Sequence, residues 1–167
     1  MTEYKWMAAE PRRHYGSNFL VTSPPSPWRS TDKAFCKEML AAGLMNYCAP
    51  QYYDGPNLNT KTYVVNSVNE WVHDVAGGDA SKIVVGMGVN MSGYYMTNDL
   101  AVDTFRTVKA NHPSIRGAFL WERSVDANTG WPFANQMGPI VRNNQILSPV
   151  CVLLRLCAAV RFKVNNS

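Results

Sequence analysis

Long apolar runs, clustered cysteines and a charge surplus on the main body are all scarce in this chain of 167 residues. The longest apolar stretch, Pro149–Val160, is interrupted by Arg155 and falls short of the roughly 20 residues a membrane-spanning helix needs, so no span is expected. Met1–His14 has no apolar run of the kind a secretory leader carries, so no signal is expected and the compartment stays open. Cys36, Cys48, Cys151 and Cys157 form no Cys-x-x-Cys, and His14, His73 and His112 are scattered, so no metal site is expected. Cys36 and Cys48 either pair in an oxidising compartment or remain two buried thiols. There is no Gly-x-Ser-x-Gly elbow for a serine nucleophile. Gly86-Met-Gly88 lacks the third glycine and the following helix of a dinucleotide fingerprint, so no cofactor is expected. The net charge is +4, yet residues 1–126 hold 12 basic and 12 acidic side chains, and Arg142, Arg155, Arg161 and Lys163 supply the whole excess. A neutral body argues against nucleic acid as the partner.

What is present reads as one globular core. Hydrophobic residues make up 46% of the chain and aromatics 11%, and a domain of this size buries roughly 68–70% of its unfolded surface. Four short apolar runs, Phe19–Ser23, Leu44–Tyr53, Lys82–Val89 and Ile115–Trp121, have the length and side chains of buried strands. Helix-period segments lie between them. Ser30 or Thr31 is placed to cap the first, with Phe35, Met39 and Leu40 on one face and Gly43 as its stop. Asn59 or Thr60 opens the second, where Val64, Val68, Trp71, Val72 and Val75 recur at helical spacing and Gly77-Gly78 closes. Asn98 precedes the third, with Ala101, Phe105 and Val108 inward and Pro113 barring continuation. Repeated strand–helix units predict parallel strands covered by helices, an α/β fold. Met1–Tyr15 has no clear period, and the segment from 142 is polar, then apolar and basic; neither is assigned an element.

The strand ends carry four motifs in order. Leu20-Val21-Thr22-Ser23-Pro24-Pro25 is followed by Gln51-Tyr52-Tyr53-Asp54, then Lys82-Ile83-Val84-Val85-Gly86-Met87, then Gly117-Ala118-Phe119-Leu120-Trp121. Together they resemble the second half of a family 18 glycoside hydrolase, the chitinases and related endo-β-N-acetylglucosaminidases, closest to the hevamine-like branch. The resemblance covers 17–141. It implies strands five to eight of a (β/α)8 TIM barrel with outer helices, a partial barrel, since a closed one needs about 250 residues. It also implies retaining, substrate-assisted hydrolysis of β-1,4-linked N-acetylglucosamine glycans. In that chemistry a Glu protonates the leaving oxygen, and the substrate's own acetamide carbonyl attacks the anomeric carbon.

By resemblance, Tyr53 holds the acetamide, Gln51 and Asp54 flank the same sugar, and Trp121 is the apolar floor beneath it. Read without the family, Tyr53 is a core aromatic with its hydroxyl on backbone, Asp54-Gly55-Pro56 a turn, and Trp121 core filling. Trp28, Tyr94, Tyr95 and Trp131 lie just past strand ends, where barrel enzymes place ligand contacts, and are candidates to stack further sugars. The family's acid signature, Asp-x-x-Asp-x-Asp-x-Glu, is absent from the chain. Glu122 follows Trp121 directly, so on a strand it points away from the floor and is expected to pair with Arg123 at the surface. Asp54 and Asp126 are the remaining carboxylates. The chain is therefore expected to be a half without its acid, with a non-catalytic chitin-binding chain or an inactive fragment as the alternatives. The open edges of a half barrel predict self-association.

Overall fold

The computed structural model describes residues 2–142, so the stretch from 143 onward lies outside the described residues. It is a mixed α/β fold whose strands all run parallel. Strand β1 (Thr22–Ser23) pairs with β2 (Tyr47–Cys48), and β3 (Gln51–Tyr52) pairs with β4 (Val84–Gly88), which pairs with β5 (Gly117–Trp121). A parallel bridge from Cys48 to Ile83 joins the two sheets, so strand order follows chain order. All four expected strands are shorter than their apolar runs, the first two most of all. Phe19 and Leu20 stand exposed ahead of β1. The run Leu44–Tyr53 breaks into β2 and β3 around Ala49-Pro50, because proline has no N–H to give a ladder.

Helices α2 (Ser30–Ala41), α3 (Lys61–Glu70) and α4 (Asn98–Asn111) alternate with the strands. Their apolar stripes form the core with the helix-side residues of the sheet: Cys36, Met39 and Leu40 from α2, Val64 and Val68 from α3, and Ala101, Phe105 and Val108 from α4. The helix starts differ from the expected ones. Arg29, not Ser30 or Thr31, occupies the cap of α2 and gives no side-chain bond; Asp32 instead accepts from the Ser26 N–H at 2.9 Å. Thr60 caps α3 as expected, its hydroxyl accepting from Tyr63 N–H. Thr97 rather than Asn98 caps α4, accepting from Leu100 N–H. Beyond Glu70 the α3 helix widens into a π turn over Trp71–Val75, and Gly77 and Gly78 end it at positive φ.

Met1–Tyr15 carries a helix, α1 (Thr2–Tyr15), that packs on α2: the Tyr4 and Phe35 rings meet edge to face and Lys5 pairs with Glu38. Arg12 donates to the Gly43 carbonyl and to Asn46 Oδ1, both at 2.7 Å. Cys36 and Cys48 are buried free thiols; the contact with Cys36, together with burial, pushes the Cys48 thiol up, so it stays neutral.

After β5 come α5 (Arg123–Asn128) and α6 (Pro132–Arg142). Asp126 has a structural post between them. It is 1% exposed and accepts from the backbone N–H groups of Phe133 (2.8 Å) and Ala134 (3.1 Å) at the start of α6. Asp126→Ala orphans one buried and one part-buried donor and is expected to cost about 2–3 kcal/mol in urea unfolding. Asp126→Asn, which keeps one acceptor oxygen, is expected to fall between that variant and the parent.

Candidate functional site

The register of β3, β4 and β5 sorts their side chains onto two faces. Tyr52, Met87 and Leu120 share one row, and Tyr52 marks it as the helix side, since its hydroxyl donates to Ser67 Oγ on α3 at 3.2 Å. The opposite face carries Gln51, Gly86 and Phe119 in one row. By strand alternation the next row holds Tyr53, Gly88 and Trp121.

Both glycines of β4 lie on that face, and each is replaced in space by an aromatic ring. A Cβ on Gly86 would lie 2.3 Å from Phe119 Cε1 and 2.9 Å from the Pro50 carbonyl oxygen. One on Gly88 would lie 2.5 Å from Tyr95 Cδ1 and 2.7 Å from Tyr53 Cβ. The space they leave holds a cluster centred on Tyr53. Its ring runs near parallel to Trp121 (6.0 Å, 9°) and to Tyr95 (6.2 Å, 20°), with Phe119 edge-on at 6.4 Å.

Tyr53 is 6% exposed, and its buried hydroxyl has no hydrogen-bond partner. The bland expectation of a backbone partner therefore fails. An orphaned buried hydroxyl costs free energy unless something else satisfies it. Burial first, and the Asp54 carboxylate next, push this phenol up to about 12, so it is a donor at any ordinary pH. Trp121 is 44% exposed, leaving part of its side chain open to solvent. Asp54 turns the chain at φ 58° after β3 and accepts from the Tyr95 hydroxyl at 2.5 Å. Gln51 is half-buried on the same face.

The structure thus brings Tyr53, Asp54, Tyr95 and Trp121 together. Tyr94 is exposed in the β4–α4 loop, and Trp28 is exposed past β1, on the other sheet, with the Arg29 guanidinium 5.0 Å over its ring. Trp131 belongs elsewhere. It sits under Arg123 and lines an apolar pocket of about 430 Å³ with Leu120 and Met137, on the helix side of β5. Arg123 is therefore stacked rather than paired with Glu122, which accepts from the Ser124 hydroxyl instead. The Trp121–Glu122 peptide is cis, and β5 ends there. Reading by sequence alone missed the two space-clearing glycines, whose signal was their alternate spacing on a strand. It also missed the bond from Tyr95 to Asp54, which joins residues 41 apart in the chain. Among the described residues no three His, Cys, Asp or Glu side chains converge as metal ligands, and no helix is long and apolar enough to cross a membrane.

No family model and no curated protein matches the chain. Its fold is similar to the crystal structure of a GH18 chitinase from Pseudoalteromonas aurantia, at 17% identity and a TM-score of 0.63. The alignment covers 77% of this chain and 50% of that one, so the chain spans about half the length of the solved structure it matches. At that identity the likeness shows the fold alone.

Proposed function

We propose that this chain carries the sugar-holding half of a chitinase-like glycoside hydrolase, with 17–141 as strands five to eight of the barrel and their helices. The observation that carries the reading is the pairing of an open indole, Trp121, with a parallel tyrosine whose buried hydroxyl has no partner. A pyranose lying on Trp121 would present its C–H face to the ring, and its 2-acetamido group would reach the Tyr53 hydroxyl. In substrate-assisted hydrolysis the acetamide carbonyl oxygen attacks the anomeric carbon, while the bond to the leaving oxygen breaks and an acid protonates it. Tyr53 would hold the acetamide in the attacking orientation, with Asp54 and Gln51 on the flanking hydroxyls. The acid is not supplied by the family's signature, which the 167 residues do not contain. On this reading the chain alone holds N-acetylglucosamine oligomers and turns them over only where another carboxylate supplies the acid.

The test is a fluorogenic chitobioside offered to the purified chain, with circular dichroism showing that it is folded. No fluorophore release is expected. Release that disappears in Tyr53→Phe would show an acid on this chain and sink the binding-only part of the reading. Direct binding tests the site itself. Chitotetraose is expected to bind in the micromolar range by calorimetry, and Trp121→Ala to weaken it by at least about thirtyfold, the loss typical of an aromatic hot spot that the bound ligand desolvates.

A further inference from the structure

We propose that Tyr95 is a positioning residue for Asp54, acting through its hydroxyl and not as a platform for a sugar; this rests on the carbohydrate reading above. Asp54 is exposed and held at positive φ at the head of the β3–α3 loop. A carboxylate so placed is free to rotate unless something fixes it. Tyr95, from the β4–α4 loop, donates its hydroxyl to Asp54 Oδ1 at 2.5 Å. Charge-assisted bonds of this kind are the strong ones. Oδ1 already accepts one bond, so Oδ2 is the freer oxygen for a ligand hydroxyl or amide.

Tyr95 is itself located from three directions. Its ring lies along Tyr53 at 6.2 Å. Its backbone carbonyl accepts from Asn59 Nδ2 at 3.2 Å. Its ring edge fills the space that the missing Cβ of Gly88 leaves open. The bonds to Asp54 and Asn59 lace the two loops together at both ends of the β3–α3 turn. Because the bond orients a binding carboxylate before any ligand arrives, it lowers the ordering cost of binding. The same bond, followed by burial and the negative charges of Asp54 and Glu122, pushes the Tyr95 phenol up to about 12, so the donor keeps its proton.

The two roles separate in a double-mutant cycle on the full chain with chitotetraose as the probe. Tyr95→Phe keeps the ring and loses the hydroxyl, and Asp54→Asn loses the charged acceptor. Each is expected to weaken binding about tenfold, and the double variant to be no weaker than either single one. Wild-type affinity in Tyr95→Phe, or losses that multiply in the double variant, would overturn the proposal. A readout that needs no sugar runs beside it. The alkaline absorbance titration of the chain minus that of Tyr95→Phe isolates this phenol. In the Asp54→Asn background its transition is expected to move down from about 12 toward the ordinary tyrosine range; an unmoved transition would mean that Asp54 does not hold it. Failure of the unaltered chain to bind chitotetraose would overturn the carbohydrate reading, and the titration would still decide whether the pair exists.

Discussion

Gly88→Ala is expected to cut chitotetraose affinity by about a hundredfold while leaving the helical circular dichroism signal in place. The cause is steric. The new methyl would sit 2.5 Å and 2.6 Å from two ring atoms of Tyr95 and 2.7 Å from Tyr53 Cβ. The Tyr95 ring can swing away, but only by releasing Asp54. Tyr53 Cβ cannot swing, being attached to the backbone just past β3, so β3 and β4 must shift apart where Gly88 lies beside Tyr53. Overpacking of this kind costs about 1–3 kcal/mol of stability. The binding loss is larger than that of Tyr95→Phe, because ring geometry and carboxylate orientation go together. A Gly88→Ala variant that binds as well as the original would show that the aromatic cluster does not set the affinity.

The largest loss of stability is expected at Trp71. It is fully buried at the start of the π turn, and its indole N–H donates to the Pro27 carbonyl at 3.1 Å. Trp71→Ala empties the biggest side-chain volume among the wholly buried residues, and large aromatic truncations of this type cost about 3–5 kcal/mol. Against a typical total of about 5–15 kcal/mol, that removes at least about a fifth of the stability. The thermal midpoint is expected to fall by about 10 °C or more. Trp71→Phe, which keeps a ring but drops the N–H, is expected to recover over half of the loss. A midpoint for Trp71→Ala within a degree or two of the parent would mean that this cavity collapses without penalty.

The parts of this architecture that could be read ahead were those with a strong local period. The stripe Val64, Val68, Trp71, Val72, Val75 found its helix, and the runs ending at Val89 and Trp121 found β4 and β5. Helix α1 escaped because its large apolar residues make no buried stripe: Tyr4, Trp6 and Met7 are exposed and only Ala8 is buried against the core. The α4 cap fell one residue earlier than expected, where Thr97 and Asn98, both able to cap, stand side by side, and the α2 helix starts after Arg29, whose side chain caps nothing. The site was half legible. Tyr53, Asp54 and Trp121 came from a motif resemblance, but the glycines of β4 looked like a faint nucleotide loop, when in space they are the hollow into which Phe119 and Tyr95 fit. No local pattern announces that kind of complementarity, since it is formed by three strands and a loop far apart in the chain.

The chain-ordered pairing of the strands gives the molecule the character of a row, in which each unit leans on its sequence neighbours. In such arrays the ends fray first and interior units open last. The seam in this row falls between β2 and β3, crossed by the Cys48–Ile83 bridge, the Gln51 N–H to Pro25 carbonyl bond and the Trp71 indole bond to Pro27. Tyr53, Asp54, Tyr95 and Trp121 all lie on the far side of it, on the longer sheet and its loops. Trp121 and Phe119 stand on β5, the last strand of the row, so fraying from that end opens the aromatic hollow, whereas loosening of the α1–β2 end leaves its strands paired.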